Sequence, residues 1–289
     1  MQQMLKSYKM YLVYVGILLI ESTVIGVIFD NFIIAGVFAC IMLLYMDVIG
    51  ESYGRFSMRC ELVKENEDAQ SYKVIQSFNL VKRKAEILYP SVENINLYYI
   101  PTDDINAYSF GRTSVAITRG AMSLDSHIIE AILSHELGHS INADMFFYRF
   151  LFGNLIGIMI LVGIWNTVII GIVVLIGIFI IALTAIRLNF VTYQISNFFI
   201  NMLQKLLSAI QNLLMSIGQA IIAVVSRRSE YNADTFAHRL GYGNYLRIFL
   251  SKYAMNFETF QPRTITEMLY ASHPEPIKRI NHLKSIEQQ

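Results

Sequence analysis

Hydrophobic positions along the chain fall into two arrangements, long unbroken runs and short periodic stretches. Residues 10–29 (MYLVYVGILLIESTVIGVIF) and 31–49 (NFIIAGVFACIMLLYMDVI) are apolar runs separated by Asp30, and each holds one acid, Glu21 and Asp47. Residues 150–186 contain no Asp, Glu, Lys or Arg at all. A membrane-crossing helix needs about 20 apolar residues, so this last run is nearly two spans long. Trp165-Asn166-Thr167 at its middle reads as an interfacial turn. The pattern therefore predicts four transmembrane helices in two hairpins, 10–29 with 31–49 and about 150–165 with 168–186. Glu21 stands mid-span, where a carboxyl must be protonated, paired or turned toward other helices. No small-residue cleavage site follows the first run, so it reads as an uncleaved anchor.

Between the runs the period shortens. Residues 68–89 have helical spacing and stop at Pro90. Strand patterns follow at 95–100, 105–110 and 113–118, with turn residues at Pro101-Thr102-Asp103-Asp104 and Gly111. A helix over 123–144 carries Ile128, Ile129, Ile132, Leu133 and Leu137 at helical intervals. In 188–225, Asn and Gln recur from Asn189 to Gln219, which favours one long amphipathic helix over a fifth span. The predicted organisation is an N-terminal hairpin (1–49), a first part of a small α+β domain (50–149), a second hairpin (150–186) and the domain's second part (187–289).

Composition agrees with a membrane protein. The chain of 289 residues is 54% hydrophobic and 16% charged, with a formal net charge of +1. Soluble domains carry about 25% charged residues, so an ordinary soluble or disordered chain is disfavoured, and near neutrality argues against nucleic acid as a partner. Lys6, Lys9, Arg55, Arg59, Lys64, Arg149 and Arg187 flank the runs, and neither expected turn holds a Lys or Arg. The positive-inside rule then places both termini and residues 50–149 in the cytoplasm. Cys40 and Cys60 have neither disulfide nor metal-ligand spacing.

The chemistry sits in His135-Glu136-Leu137-Gly138-His139. Histidines at i and i+4 share one helical face and can reach one ion, and Glu136 beside the first can deprotonate a metal-activated water. Glu230 is the strongest candidate for a third ligand. It pairs at i and i+4 with Asp234, so one acid can bind metal while the other orients a histidine. His238 is the alternative ligand. The histidines and Glu230 must lie on one side of the membrane, as a two-span hairpin between them allows. His127 and His282 read as surface residues.

Several segments resemble the HtpX-like membrane zinc metallopeptidases, which are related to the CAAX prenyl proteases. Asn106-Ala107-Tyr108-Ser109-Phe110-Gly111 looks like that family's NAxxxG segment, and Ala116–Met122 is similar to the strand and turn before its zinc helix. His135–His139 with Asp144 resembles the zinc helix, Glu230–Asp234 the third-ligand motif, and Ser272-His273-Pro274 with Arg279-Ile280 the C-terminal motif. The resemblance covers most of the chain and its segments come in the family's order. It implies a cytoplasmic zincin-like (gluzincin) catalytic domain with a small sheet, holding one Zn²⁺ on His135, His139 and Glu230. Glu136 would be the general base, and His273 or Arg279 the oxyanion donor. Asp144 and Asp234 would support the ligands, and Asn106, Ala107 and Gly111 would bind substrate. The expected activity is endoproteolysis of membrane or misfolded proteins, in protein quality control at a bacterial inner membrane. The connection after Gly111 is shorter than relatives often carry. Two other readings compete: a site-2-type intramembrane metalloprotease, and a non-catalytic scaffold keeping zinc for structure.

Overall fold

The computed structural model describes residues 2–28, 30–64, 68–142, 144–183, 189–253 and 276–288. Helices α1 (Gln2–Ile28) and α2 (Phe32–Leu44) form an antiparallel pair. The turn between them falls at Asp30-Asn31, as the polar break predicts. Asn31 caps α2, its side-chain oxygen accepting from the Ile33 and Ile34 amides at 2.9 and 3.3 Å, an ordinary way to satisfy first-turn donors. A π-helical turn, Tyr45–Ile49, leads into α3 (Gly50–Ser57).

The four transmembrane helices are corrected here: among the described residues, no helix is long and apolar enough to cross a membrane. The 13 α-helical residues of α2 pass into a π-helical turn that carries Asp47 and then into α3 with its polar Glu51, Ser52 and Arg55, so the apolar stretch is cut short. In α1 the apolar run is preceded by Gln2, Gln3, Lys6 and Lys9 and interrupted at Glu21-Ser22-Thr23. The second hairpin does not form either, because α7 runs from Asp144 to Leu183 without a break. Thr167 donates its hydroxyl to the Gly163 carbonyl at 3.0 Å. The polar residue is thereby satisfied inside the helix and has no need of a turn.

The sheet has four strands in the order β1 (Glu61–Leu62), β2 (Asn96–Ile100), β4 (Ser114–Thr118), β3 (Ala107–Ser109). β4 is central, parallel to β2 with Leu97 opposite Val115, and antiparallel to β3 with Tyr108 opposite Ala116. It is buried at all five positions, which is why its sequence lacks alternation. β3 is an edge strand. Helix α4 (Ala69–Glu86) starts at Asp68, which accepts from the Ser71 amide at 2.6 Å, and ends just before Pro90 as its periodicity requires. Its stripe of Val74, Phe78, Val81 and Ala85 packs with β4 and with α6 (Ser126–Asn142) in the main core. α6 follows the short helix α5 (Arg119–Met122) and is buried continuously from Ile128 to Ser140.

The amphipathic stretch after residue 188 forms one helix, α8 (Asn189–Arg239). It ends at Gly241, whose φ of +88° is the left-handed conformation that glycine adopts at helix C-termini. α9 (Gly243–Lys252) and α10 (Pro276–Glu287) close the core with Leu246, Leu250, Ile280 and Leu283. By internal contacts the chain divides into Met1–Phe150 with Ala223–Gln289, and Leu151–Ile222. All the candidate site residues that the structure describes belong to the first unit.

Candidate metal centre

Helix α6 presents His135 and His139 one turn apart, and α8 brings Glu230 against them. The helices can approach this closely because both carry small residues where they meet. A Cβ on Gly138 would lie 3.0 Å from the Ala233 Cα and 3.3 Å from the Cβ atoms of Ala233 and Phe236. Gly138 lies between the histidines in sequence, and Ala233 lies between Glu230 and Asp234. The spacer residues of both motifs therefore set the distance between the helices.

The three donor residues are 3 to 7% exposed. His135 Nε2 and His139 Nε2 are 3.1 Å apart. His139 Nε2 lies 3.2 Å from Glu230 Oε1, and His135 Nε2 lies 3.3 Å from Glu230 Oε2. Ligands at about 2.0–2.1 Å from a tetrahedral zinc stand about 3.3–3.4 Å from one another. The observed triangle has nearly that size, and its atoms are two imidazole nitrogens and a carboxylate, the donor set zinc prefers. The residues fit the metal.

A surrounding layer holds these donors in place. His135 Nδ1 is 3.0 Å from Asp234 Oδ1. His139 Nδ1 is 2.9 Å from Asp144 Oδ2, and the Ser229 hydroxyl is 3.2 Å from the same nitrogen. Asp144 stands in the first turn of α7, where the helix dipole favours a carboxylate. Burial opposes charging of both imidazoles. Asp234 and Glu230 outweigh it at His135, and Glu230 and Asp144 do so at His139, so both basicities are raised. Asp234, fully buried, is also penalised by desolvation, yet Arg279 and His135 hold its carboxyl below the usual range. Glu136 is buried next to His135, and its charge is felt at His139 and at Arg279.

The sequence expectations are placed as follows. His135, His139, Glu230, Asp144, Asp234 and Arg279 come together. His273 lies outside the described residues. His238 packs against Gly243, away from the triad. Asn106 stands at the start of β3 and binds locally: its side chain donates to the Tyr108 hydroxyl at 3.0 Å and accepts from the Ala107 amide at 2.9 Å. Ala107 is buried in β3, and Gly111 packs against the Glu51 carboxylate. His282 lies against the Tyr231 ring and 3.1 Å from the Thr235 hydroxyl.

Other residues escaped the sequence reading. Ser229 belongs to the layer around His139, and Tyr148 hydrogen-bonds to Ser229 and Ser226. Ser109 and Ser140, 2.9 Å apart, fasten β3 to α6. Serines and a tyrosine in these roles carry no spacing signal. The nearest clue was that Ser229 adjoins Glu230.

Comparison with known proteins follows the same residues. The chain matches the sequence profile of Peptidase family M48 over residues 71–287. It is 32% identical over 91 residues to a protease HtpX homolog of Nostoc sp., the matched stretch being 30% of this chain and 29% of that protein. A protease HtpX homolog of Trichormus variabilis matches with the same identity and coverage. The matched stretch is thus well under half of these curated relatives. Among solved structures, Ste24p of S. mikatae is similar at a TM-score of 0.40 and 18% identity, over 98% of this chain and 65% of that one.

Proposed function

The chain belongs to Peptidase family M48, a family of zinc metalloproteases, and from that premise we propose that it is a zinc-dependent endopeptidase acting on membrane or misfolded proteins. The observation that carries this reading is the buried triangle of His135, His139 and Glu230, with Glu136 beside it. Zinc held by those three side chains would supply Lewis acidity toward water and the scissile carbonyl.

The remaining steps fall to the protein. Glu136 takes the proton of the attacking water on its carboxylate and passes it to the leaving nitrogen. Asp144 and Ser229 orient His139, and Asp234 orients His135. An extended substrate pairs with the outer edge of β3, beginning at Asn106 and Ala107, so that its carbonyl lies over α6. Ser109 and Ser140 support this by tying the strand to the zinc helix. Gly111 acts at the turn, where its lack of a Cβ leaves room for the Glu51 carboxylate. His273 serves as oxyanion donor. Zinc held by the three protein donors of the triad would keep a coordination position for water, unlike a structural site with four.

Large exposed apolar side chains on α1 and α2, among them Leu19, Val27, Phe32, Ile33 and Ile41, support a lipid bilayer as a further partner. We place the catalytic residues on the cytoplasmic side of a bacterial membrane. The free thiols Cys40 and Cys60 suit that reducing compartment.

Metal analysis of the purified protein should find about one zinc per chain, with cleavage of an unfolded test protein. Glu136→Gln should keep the zinc and lower cleavage by about 10²–10⁴-fold, the range for loss of a general base. Undiminished cleavage by that variant would sink the assignment.

A further inference from the structure

On the zinc peptidase reading, Arg279 was an oxyanion donor by resemblance alone. Its surroundings indicate something else. We propose that Arg279 is a positioning residue that fastens Glu230 and Asp234 to α10 and so holds the third ligand in place.

The guanidinium is buried, with a side chain 7% exposed. Its Nε donates to Asp234 Oδ2 at 3.0 Å and its Nη2 donates to Asp234 Oδ1 at 2.6 Å, a two-pronged arrangement that matches the planar fork to the carboxylate. Nη1 is 3.1 Å from Glu230 Oε2. Nη2 also lies 3.2 Å from each ring nitrogen of His135. Every guanidinium nitrogen thus faces the ligand shell, and a substrate oxyanion would have to displace one of these partners.

The arrangement has a purpose that charge explains. Glu230 and Asp234 are one helical turn apart on α8, and two buried carboxylates at that spacing repel each other. Arg279 lies against both and offsets the repulsion. By holding Glu230 Oε2 it also fixes the carboxylate's rotation, leaving Oε1 toward His139 Nε2 at 3.2 Å. Ile280 and Leu283 anchor α10 in the core beside it. The metal centre therefore draws on four helices, α6 for the histidines, α7 for Asp144 against His139, α8 for Glu230 and α10 for the clamp that orients it.

The test uses the full chain, with zinc affinity read by competition against a chromogenic chelator and steady-state cleavage read at limiting and excess zinc. Arg279→Met and Arg279→Lys should each weaken zinc binding by about 10–100-fold, as loss of a ligand-orienting partner does. Lys fails to rescue because an ammonium cannot fork onto Asp234 while reaching Glu230. Activity lost at limiting zinc should largely return with excess zinc. Asp234→Asn supplies a second route should the Arg279 variants fold poorly. It should loosen zinc in the same direction, and the double variant should lose little more than either single change. The proposal is overturned if zinc affinity is unchanged in these variants while turnover at saturating zinc falls about 10²–10³-fold, the mark of an oxyanion donor. A wild-type protein that binds no zinc would instead remove the underlying peptidase reading.

Discussion

Two regions of the unit formed by Met1–Phe150 and Ala223–Gln289 bury charge, and they do it in opposite ways. At the turn between β3 and β4, Glu51 from α3 accepts from the Thr113 amide at 3.2 Å and the Thr113 hydroxyl at 2.7 Å, with Arg55 at 3.5 Å. Arg149, from the start of α7, donates to the carbonyls of Phe110 and of Met46. Each charged group there meets groups of complementary polarity, so the junction is complete as protein alone. At the metal centre the donors converge on one another instead. Two imidazole nitrogens and a carboxylate stand 3.1–3.3 Å apart, with Glu136 and Asp234 adding negative charge nearby. Two imidazole nitrogens and a carboxylate so arranged can all bind one cation lying between them. Buried charge satisfied within the protein supports a fold, whereas buried donors directed at a common point fit a metal ion.

Changes that separate α6 from α8 should have the largest effect on the metal centre. Gly138→Leu puts a branched side chain where a single Cβ already lies 3.0 Å from the Ala233 backbone. Overpacking of that kind costs about 1–3 kcal/mol or more. The variant should retain a helical circular dichroism spectrum but bind zinc at least about 10-fold more weakly. If zinc affinity is unchanged, the small-residue contact does not set the ligand spacing. Arg149→Met should do the reverse. It leaves two buried carbonyls without their donor, at about 1–3 kcal/mol each, so chemical denaturation should report a loss of about 3 kcal/mol. Zinc affinity should hold within about twofold, and a large fall would join the two regions that the comparison keeps apart.

The smallest effect is a drift with pH in the metal-free protein. His135 and His139 both bind protons more tightly in the fold than their ordinary value of 6.5. A raised pKa contributes stability fully below the unfolded value, and that stability is lost as pH rises through the folded one. The melting temperature of chelator-stripped protein should therefore fall as pH rises above about 6.5. Zinc requires neutral imidazole, so its stabilising effect grows over the same range. The gap between loaded and stripped protein should widen with pH. A gap that narrows would mean the histidines are not competing for protons and metal.

Legibility in the sequence followed how local each feature is. His135, Glu136 and His139 could be read because a helix turns every 3.6 residues and puts i and i+4 on one face. Glu230 and Asp234 obey the same rule. The helix ending before Pro90 and the three strand patterns were equally local and lie close to their expected limits, whereas the helix expected over 188–225 starts as expected but continues to Arg239. The apolar runs misled because hydropathy counts residues without weighing hydrogen bonds. Thr167 could end a helix or bond back to Gly163, and the structure shows the second. Arg149 was read as a marker of membrane orientation, yet it turns into the protein toward Phe110 and Met46. Ser229, Ser109 and Ser140 left no trace, since a hydroxyl acquires a role only from what it faces.

The sequence by itself thus determined the donor types, their pairing on single helical turns and the elements carrying them, because those depend on short-range geometry. The tertiary structure alone decided that α6 and α8 meet at Gly138 and Ala233, closely enough to bring Glu230 within 3.3 Å of both histidines. It also decided that Arg279 lies against Glu230 and Asp234, 45 residues beyond the latter. Contacts between segments so far apart depend on how side-chain volumes fill a shared core, and no local period records that.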